Sequence, residues 1–202
     1  MSTTRKAYER LAFFYCLDDV MCLGAKQLWR RKIIDWLDVE RSRTILDLAT
    51  GPGMAAEMLA TRAKDAQVVA VDFSRTMLRI ARARTRKKDN LDFILCDASY
   101  LPFKDEIFDA ASCMYGMDTV DQPEFVLAEA NRVLRRGRRF GMVYFRMPKG
   151  WLRHFFAPLM KYYDLIWNAG YVDLTSMIAR YPFSTIKKCD LKLGEAILVE
   201  KK

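Results

Sequence analysis

Residues 44–60 read TILDLATGPGMAAEMLA, and this stretch decides the fold. An apolar run with an acid near its end gives way to a glycine-rich turn at 49–53, and helical spacing follows at once. Gly51 and Gly53 permit positive φ and let a ligand approach the backbone, while Pro52 stiffens the turn. A strand, a tight turn and a helix N-terminus in this order predict a ligand site at the carboxyl end of a parallel strand.

The rest of the chain alternates strands with helices. The predicted strands cover 44–49, 68–73, 91–97, 107–116 and 139–145. The predicted helices cover 5–37, 53–63, 75–87 and 123–135. Because the strands are apolar without clean alternation, we expect helices on both of their faces. With a closing β-hairpin at 187–202, the pattern predicts an α/β fold with a Rossmann-like, doubly wound, mostly parallel seven-stranded sheet and an antiparallel C-terminal hairpin.

The length of 202 residues suits one domain, which we expect to span 1–202. Within it we expect an N-terminal helical cap at 1–40, a cofactor-binding core at 41–146, an aromatic-rich lid over the substrate at 147–171, and closing strands at 172–202. The apolar runs are too short for a membrane-spanning helix or a signal peptide, so we expect a cytoplasmic protein.

The numbers of cysteines and histidines and the net charge argue against several classes of function. Five cysteines without CxxC spacing and a single histidine argue against a metal site and against a disulfide framework. The net charge of +9 comes from arginine clusters scattered along the chain. Scattered clusters are more typical of solvated surfaces than of a nucleic-acid interface, so we expect no specific nucleic-acid partner.

Three predicted strands end in acids, namely Asp47, Asp72 and Asp97. Carboxylates along one edge of the sheet would repel a pyrophosphate, and Ala56 stands where a dinucleotide-binding GxGxxG motif has its third glycine. The three acids suit a ligand with a cationic end, a ribose and an adenine. S-adenosylmethionine has all three.

The chain resembles class I S-adenosylmethionine-dependent methyltransferases, and most of all the ubiquinone/menaquinone-biosynthesis C-methyltransferase (UbiE/MenG) family. The resemblance rests on YERLAFFYCLDDVMCLGAKQLWRRKIID, ILDLATGPG, VVAVDFSRTMLRIAR, CDASYLPFKDEIFDAASCMYGM and EANRVLRRGRRFGMVYF. These stretches fall within 1–146, and the N-terminal stretch narrows the match to the quinone-type enzymes.

The resemblance implies a set of residues that hold S-adenosylmethionine. They are Asp47, Ala49, Thr50, Gly51, Gly53 and Met114 at the methionine end, Asp72 at the ribose hydroxyls, and Phe73, Met77, Asp97 and Ala98 around the adenine. Two departures from the family pattern stand out. Pro52 replaces a threonine, and Asp118-Thr119 replace an arginine-asparagine pair in the region that faces the substrate.

The implied reaction is C-methylation of a demethylated quinol or a related apolar phenolic ring. A general base would help by taking the hydroxyl proton, and the candidates are Asp118, Tyr115 and His154. The aromatic side chains of 147–171 suit an apolar pocket. Basic clusters beside such a lid favour peripheral contact with an anionic membrane.

Several alternatives stay open at this point. The acceptor could be another small metabolite or a nucleic acid, and the protein could bind the cofactor without catalysis. Whether the protein is a homodimer is also open, because the sequence does not decide the oligomeric state.

Overall fold

The computed structural model describes residues 25–86, 88–145, 154, 157, 161, 172–191 and 194–202. Seven strands form one sheet in the order β3-β2-β1-β4-β5-β7-β6. They are β1 Thr44–Leu48, β2 Gln67–Asp72, β3 Leu91–Leu95, β4 Phe108–Met114, β5 Leu134–Phe145, β6 Phe183–Leu191 and β7 Gly194–Lys201. The first five run parallel, and β7 lies antiparallel between β5 and β6. The predicted fold class is confirmed.

Helices cover both faces of the sheet. They are α1 Ala25–Leu37, α2 Met54–Arg62, α3 Arg75–Arg84, α4 Pro123–Val133 and the short α5 Leu174–Ile178, with a 3₁₀ turn at Val39–Arg41. The apolar faces of α1 and α2 share one buried cluster with the sheet, and those of α4 and α5 share the other. Strands enclosed in this way need apolar residues on both faces, which explains the runs without alternation.

Two strands begin well before the predicted positions. Strand β5 begins at Leu134 rather than 139, directly after α4, and its register with β4 shifts between Phe108 and Ala110. Gly137 takes a φ of +70° inside this arginine-rich start. The closing hairpin also begins earlier, at Phe183 rather than 187. Gly137 within the first segment and Pro182 just before the second hid these starts, because glycine and proline are typical of turns.

The N-terminal cap and the predicted lid are described only in part. Of the predicted helix at 5–37, the described residues begin with α1. The expected lid at 147–171 lies outside the described residues except for His154, Ala157 and Lys161. None of the helices described is long and apolar enough to cross a membrane.

Helix α1 packs against β5. Ile33, Ile34 and Leu37 are buried, whereas Leu28 is 65% exposed. In the first turns of the helix, Lys26 and Arg30 are buried instead. The helix lies directly against Gly141 of β5, where an added Cβ would lie 2.6 Å from the Ile33 Cγ2 atom.

We predict that Gly141→Ala destabilises the protein by about 1–3 kcal/mol, the usual cost of an extra methyl group in a packed core. Urea unfolding measures this change in the free energy of unfolding. In an Ile33→Ala background, which removes the facing methyl group, the same substitution should cost clearly less. Equal costs in both backgrounds would contradict the packing assigned to α1.

Candidate functional site

The turn after β1 has an unusual backbone. Ala49, Gly51 and Gly53 all take positive φ, at 50°, 56° and 79°. A Cβ on Gly53 would lie 2.8 Å from the Cβ of Ala81 on α3, so this position needs glycine for its conformation and for its packing. Arg84 of α3 also donates a hydrogen bond to the Pro52 carbonyl. Helix α3 therefore contacts the turn at Pro52 and Gly53 and helps to fix its conformation.

Asp72, at the end of β2, joins the turn to the next helix. One carboxylate oxygen accepts a hydrogen bond from the Gly51 backbone N–H and the other from the Ser74 N–H, each at 2.8 Å. Ser74 in turn caps α3 by accepting from the Met77 N–H. Asp72 therefore fixes the glycine turn relative to the start of α3.

Asp47, in β1, is hydrogen-bonded to the same turn. Its side chain is fully buried, and its two oxygens accept hydrogen bonds from the Thr50 and Ser112 hydroxyls, each at 2.6 Å. Burial raises the pKa of Asp47 to about 6, against the lowering effect of those two bonds and of the Arg30 charge. With no accessible surface, Asp47 acts on the turn through Thr50.

The residues that are expected to surround an adenine ring lie around the ends of β2 and β3. Asp97 is exposed and accepts a hydrogen bond from the Ser99 N–H at 2.9 Å. Ala98 and Met77 are buried, and Phe73 is half-buried. The backbone of Cys96 donates to the Asp72 carbonyl, which joins the two strand ends. These residues share one stretch of the sheet's carboxyl edge with Asp72.

The end of β4 meets the β1 turn in direct contact. Tyr115 follows Met114 with a φ of +62°, and both side chains are buried. At Gly116, an added Cβ would lie 2.6 Å from the Ala49 Cβ and 2.9 Å from the Cys113 Sγ. The residues expected at the methionine end therefore come together from two strands.

Asp118 lies just beyond this contact and is only 4% exposed. Among the described residues, its Oδ1 atom has no hydrogen-bond partner. Burial raises the pKa of Asp118 to about 6, opposed by backbone N–H groups, including that of Phe145, and by the positive charge of Lys26. A buried carboxylate with an unused oxygen is costly in a purely structural role and is typical of a functional site.

Sequence reasoning missed two buried cations near the end of β4. Lys26 and Arg30 of α1 are each only 3% exposed and lie against the Tyr115 ring. The signal was their spacing, because 26 and 30 continue the buried row formed by Ile33 and Leu37. Ser112, the mid-strand partner of Asp47, was also missed.

His154 is not connected to this group by the described residues. It is helical and exposed, and the residues on both sides of it lie outside the described ranges. Its expected role as a base stays a prediction. Asp118 and Tyr115, in contrast, are both buried in the segment that directly follows β4.

Comparisons with known proteins point to one family. The family model described as the ubiE/COQ5 methyltransferase family matches residues 4–171. A demethylmenaquinone methyltransferase of Paenarthrobacter aurescens (strain TC1) is 38% identical over 132 residues, which cover 65% of this chain and 50% of that protein. Another, of Clavibacter sepedonicus, is 35% identical over 174 residues, covering 86% of this chain and 65% of that protein. The chain thus spans half to nearly two thirds of the length of these curated relatives.

A solved structure from Thermotoga maritima has the same fold. It is titled a SAM-dependent methyltransferase, possible histamine N-methyltransferase, and superposes with a TM-score of 0.76 at 20% identity. The match covers 98% of this chain and 100% of that one. At this identity the comparison establishes the fold and leaves the acceptor open.

The buried acid at position 47 predicts a specific pH dependence. A carboxyl group whose pKa rises from 3.8 to about 6 on folding stabilises the protein most below pH 3.8 and loses that contribution as the pH rises through about 6. Asp47→Asn removes this titration. The stability of the variant relative to wild type should therefore increase by about 2–3 kcal/mol between about pH 4 and pH 7.5.

Urea unfolding across this pH range measures the difference. Asp65→Asn, at an exposed position, is the matched control and should run parallel to wild type. If the Asp47→Asn and wild-type stability curves are also parallel, the raised pKa of Asp47 is wrong.

Proposed function

The chain belongs to the ubiE/COQ5 methyltransferase family, and we propose that it transfers a methyl group from S-adenosylmethionine to a ring carbon of a reduced, demethylated quinone. The family match over residues 4–171 carries this proposal. The acceptor class comes from the relatives, whose names describe demethylmenaquinone methyltransferases. No metal is required, because such a transfer depends on positioning and on exclusion of water.

The chemistry of the turn fits the proposed cofactor. The β1 turn offers backbone groups in a left-handed conformation, and Asp72 at the end of β2 places beside it a carboxylate, the group suited to ribose hydroxyls. Asp97, exposed at the end of β3, is suited to accept from an adenine amino group. The acidic edge disfavours a pyrophosphate and tolerates a sulfonium cation. We therefore assign the ribose to Asp72, the adenine to Asp97 with Phe73, Met77 and Ala98, and the methionine end to 49–53 and Met114.

The bound cofactor would supply an electrophilic methyl group, and the electron pair of its broken sulfur–carbon bond would remain on sulfur. A bond from the methyl group to the ring carbon would form, and that carbon would then lose its hydrogen as a proton to solvent. The chain's own contribution is to make the acceptor carbon nucleophilic. Removing the proton from a ring hydroxyl raises electron density at the neighbouring carbon. We propose that Asp118 accepts this proton at Oδ1, the oxygen for which the described residues provide no donor.

The pKa of about 6 supports Asp118 in this role. A carboxyl group with this pKa is mostly ionised at neutral pH and is a stronger base than an ordinary aspartate. Tyr115 has less support, because its ring is enclosed by Lys26, Arg30 and Phe145. His154 remains a prediction from the sequence.

A lipid-like acceptor also favours contact with a membrane surface. The expected lid at 147–171 is rich in aromatic residues, and the net charge is +9. Both features suit loose attachment to anionic lipid. We include peripheral membrane contact in the proposal for this reason.

Asp72→Ala should weaken S-adenosylmethionine binding by about 10- to 100-fold, because hydrogen bonds to a charged acceptor are worth about 1.5–3 kcal/mol each. Titration calorimetry measures the affinity, with Asp65→Ala as the exposed control. Because Asp72 also fixes the Gly51 turn, a second comparison is needed. Wild type should prefer adenosine over 2′,3′-dideoxyadenosine, and the Asp72 variant should lose that preference. An unchanged preference would remove the ribose role.

Asp118→Asn should lower kcat by about 10²- to 10⁴-fold while S-adenosylmethionine affinity stays unchanged. The wild-type pH profile of kcat/KM should rise with an apparent pKa of about 6, since the base must be ionised. The assay follows methyl transfer to reduced 2-prenyl-1,4-naphthoquinone. Intact cofactor binding without transfer to any quinol would overturn the proposed acceptor, and transfer to RNA or DNA would replace it.

A further inference from the structure

The exposed side of helix α3 carries a row of arginines. Arg79, Arg82 and Arg86 follow one another at intervals of three and four residues, with Arg86 just after the end of the helix, and all three are exposed. Residues at this spacing lie on the same side of a helix. The opposite side of α3 is buried and consists of Met77, Leu78 and Ala81. The helix is therefore amphipathic, and we call its three outer cations the arginine row.

No carboxylate neutralises the arginine row within the part of the chain that the structure describes. Arg82 donates a hydrogen bond to the Phe93 carbonyl, and none of the three arginines forms an ion pair with a described residue. Helix α3 contains no acidic residue, and Asp92 on the neighbouring strand accepts from the Gln67 amide instead. Like charges three and four residues apart repel each other in a helix. The row therefore suits an anion from outside the chain.

The second arginine cluster of the chain, at the start of β5, is neutralised internally. Arg135 and Arg138 both pair with Asp109, at nitrogen–oxygen distances of 2.6 and 3.7 Å, and Arg136 pairs with Glu106 at 3.5 Å. These arginines connect parts of the protein to one another and so serve the fold. The arginine row has no such pairs with described residues, and this difference marks it as a surface for a partner.

An exposed apolar side chain lies on the same face of the sheet as α3. Leu95 of the edge strand β3 is 37% exposed and lies two residues after Phe93, so both side chains point to one face. That face is the one covered by α3, because an added Cβ on Gly53 would lie 3.6 Å from the Phe93 Cζ and 2.8 Å from the Ala81 Cβ of α3.

Cations beside an exposed apolar group suit the headgroup region of a bilayer. There, basic side chains contact lipid phosphate, and apolar side chains reach the boundary of the acyl chains. A surface for single-stranded nucleic acid would instead combine cations with aromatic rings on which bases stack. Helix α3 contains no aromatic residue. The composition of this surface therefore favours lipid over nucleic acid.

We propose that the arginine row of α3 docks the protein on an anionic lipid bilayer through contacts between guanidinium and lipid phosphate groups. The inference rests on the proposed function, because a prenylated quinol partitions into a bilayer. It deepens that function by naming the surface that meets the membrane. The partner that fits is a bilayer containing acidic phospholipids.

Helix α3 is fixed to the candidate cofactor turn. Arg84 donates to the Pro52 carbonyl at 3.2 Å, and the Ser74 N–H at the start of the helix donates to Asp72. Docking through the arginine row therefore holds the turn at 49–53 close to the bilayer that contains the acceptor. The row itself forms no hydrogen bond with this turn among the described residues, so its replacement should leave cofactor affinity unchanged.

The first experiment measures binding to vesicles by co-sedimentation. Wild type should bind vesicles made of equal parts phosphatidylcholine and phosphatidylglycerol, and binding should weaken as salt screens the charges. It should not bind vesicles of phosphatidylcholine alone. The combined variant Arg79→Gln, Arg82→Gln and Arg86→Gln should bind the anionic vesicles about 10- to 100-fold more weakly. Equal binding of wild type to the neutral and anionic vesicles would overturn the proposal without any variant.

A matched control separates the row from the net charge of the protein. Arg41→Gln, Lys64→Gln and Lys104→Gln together remove the same charge from three exposed, separate positions, and they should weaken binding by no more than about threefold. Equal losses in the two triple variants, or unchanged binding in the row variant, would overturn the proposal. So would row-dependent binding to RNA that is tighter than binding to vesicles at the same salt concentration. Urea unfolding confirms that both triple variants are folded.

Activity distinguishes this inference from the proposed function. The row variant should methylate reduced 2-prenyl-1,4-naphthoquinone in detergent at the wild-type rate and should be slower when the quinol is embedded in anionic vesicles. Equal rates of wild type and row variant on the embedded quinol would overturn the docking role alone. Vesicle binding through the row, without methyl transfer to any quinol by wild type, would instead overturn the proposed function alone.

Discussion

The hydrogen bonds around the Asp47 carboxylate hold the candidate site together. They join β1 to the glycine turn through Thr50 and to β4 through Ser112, inside the sheet where no water competes. Asp72 repeats this arrangement one strand away by binding the Gly51 N–H. Because the turn adopts left-handed backbone conformations, it needs such external anchors to keep one shape.

Four buried ionisable groups lie near this edge of the sheet, and they affect both stability and the candidate site. Asp47 and Asp118 are buried acids with raised pKa values, and Lys26 and Arg30 are buried cations within the same region. Each of these groups is costly to enclose, and apolar residues of similar size would give a more stable protein. Their presence agrees with a site that is arranged in advance for a charged ligand, since prearranged charges need no reorganisation during the reaction.

The fold class, and the position of the glycine turn and the strand-end acids at one edge of the sheet, could be predicted because their signals are local. The glycine turn, the acids at strand ends and the strand–helix alternation each lie within a few consecutive residues. Lys26 and Ser112 were missed for the opposite reason. A lysine in a helix is ordinarily read as solvent-exposed, and a serine inside an apolar strand gives no hint of its partner 65 residues away. Only the folded sheet brings such pairs together.

The contact between the β1 and β4 turns constrains how this protein can diverge. Ala49 and Gly116 together have room for one methyl group, since a Cβ at 116 would lie 2.6 Å from that of Ala49. Ala49 also takes positive φ, which glycine adopts without strain. The reversed pair, glycine at 49 and alanine at 116, therefore suits the backbone at 49 and leaves Cys113 as the remaining neighbour to adjust. Over evolutionary time we expect these two positions, 67 residues apart in the chain, to change together rather than singly.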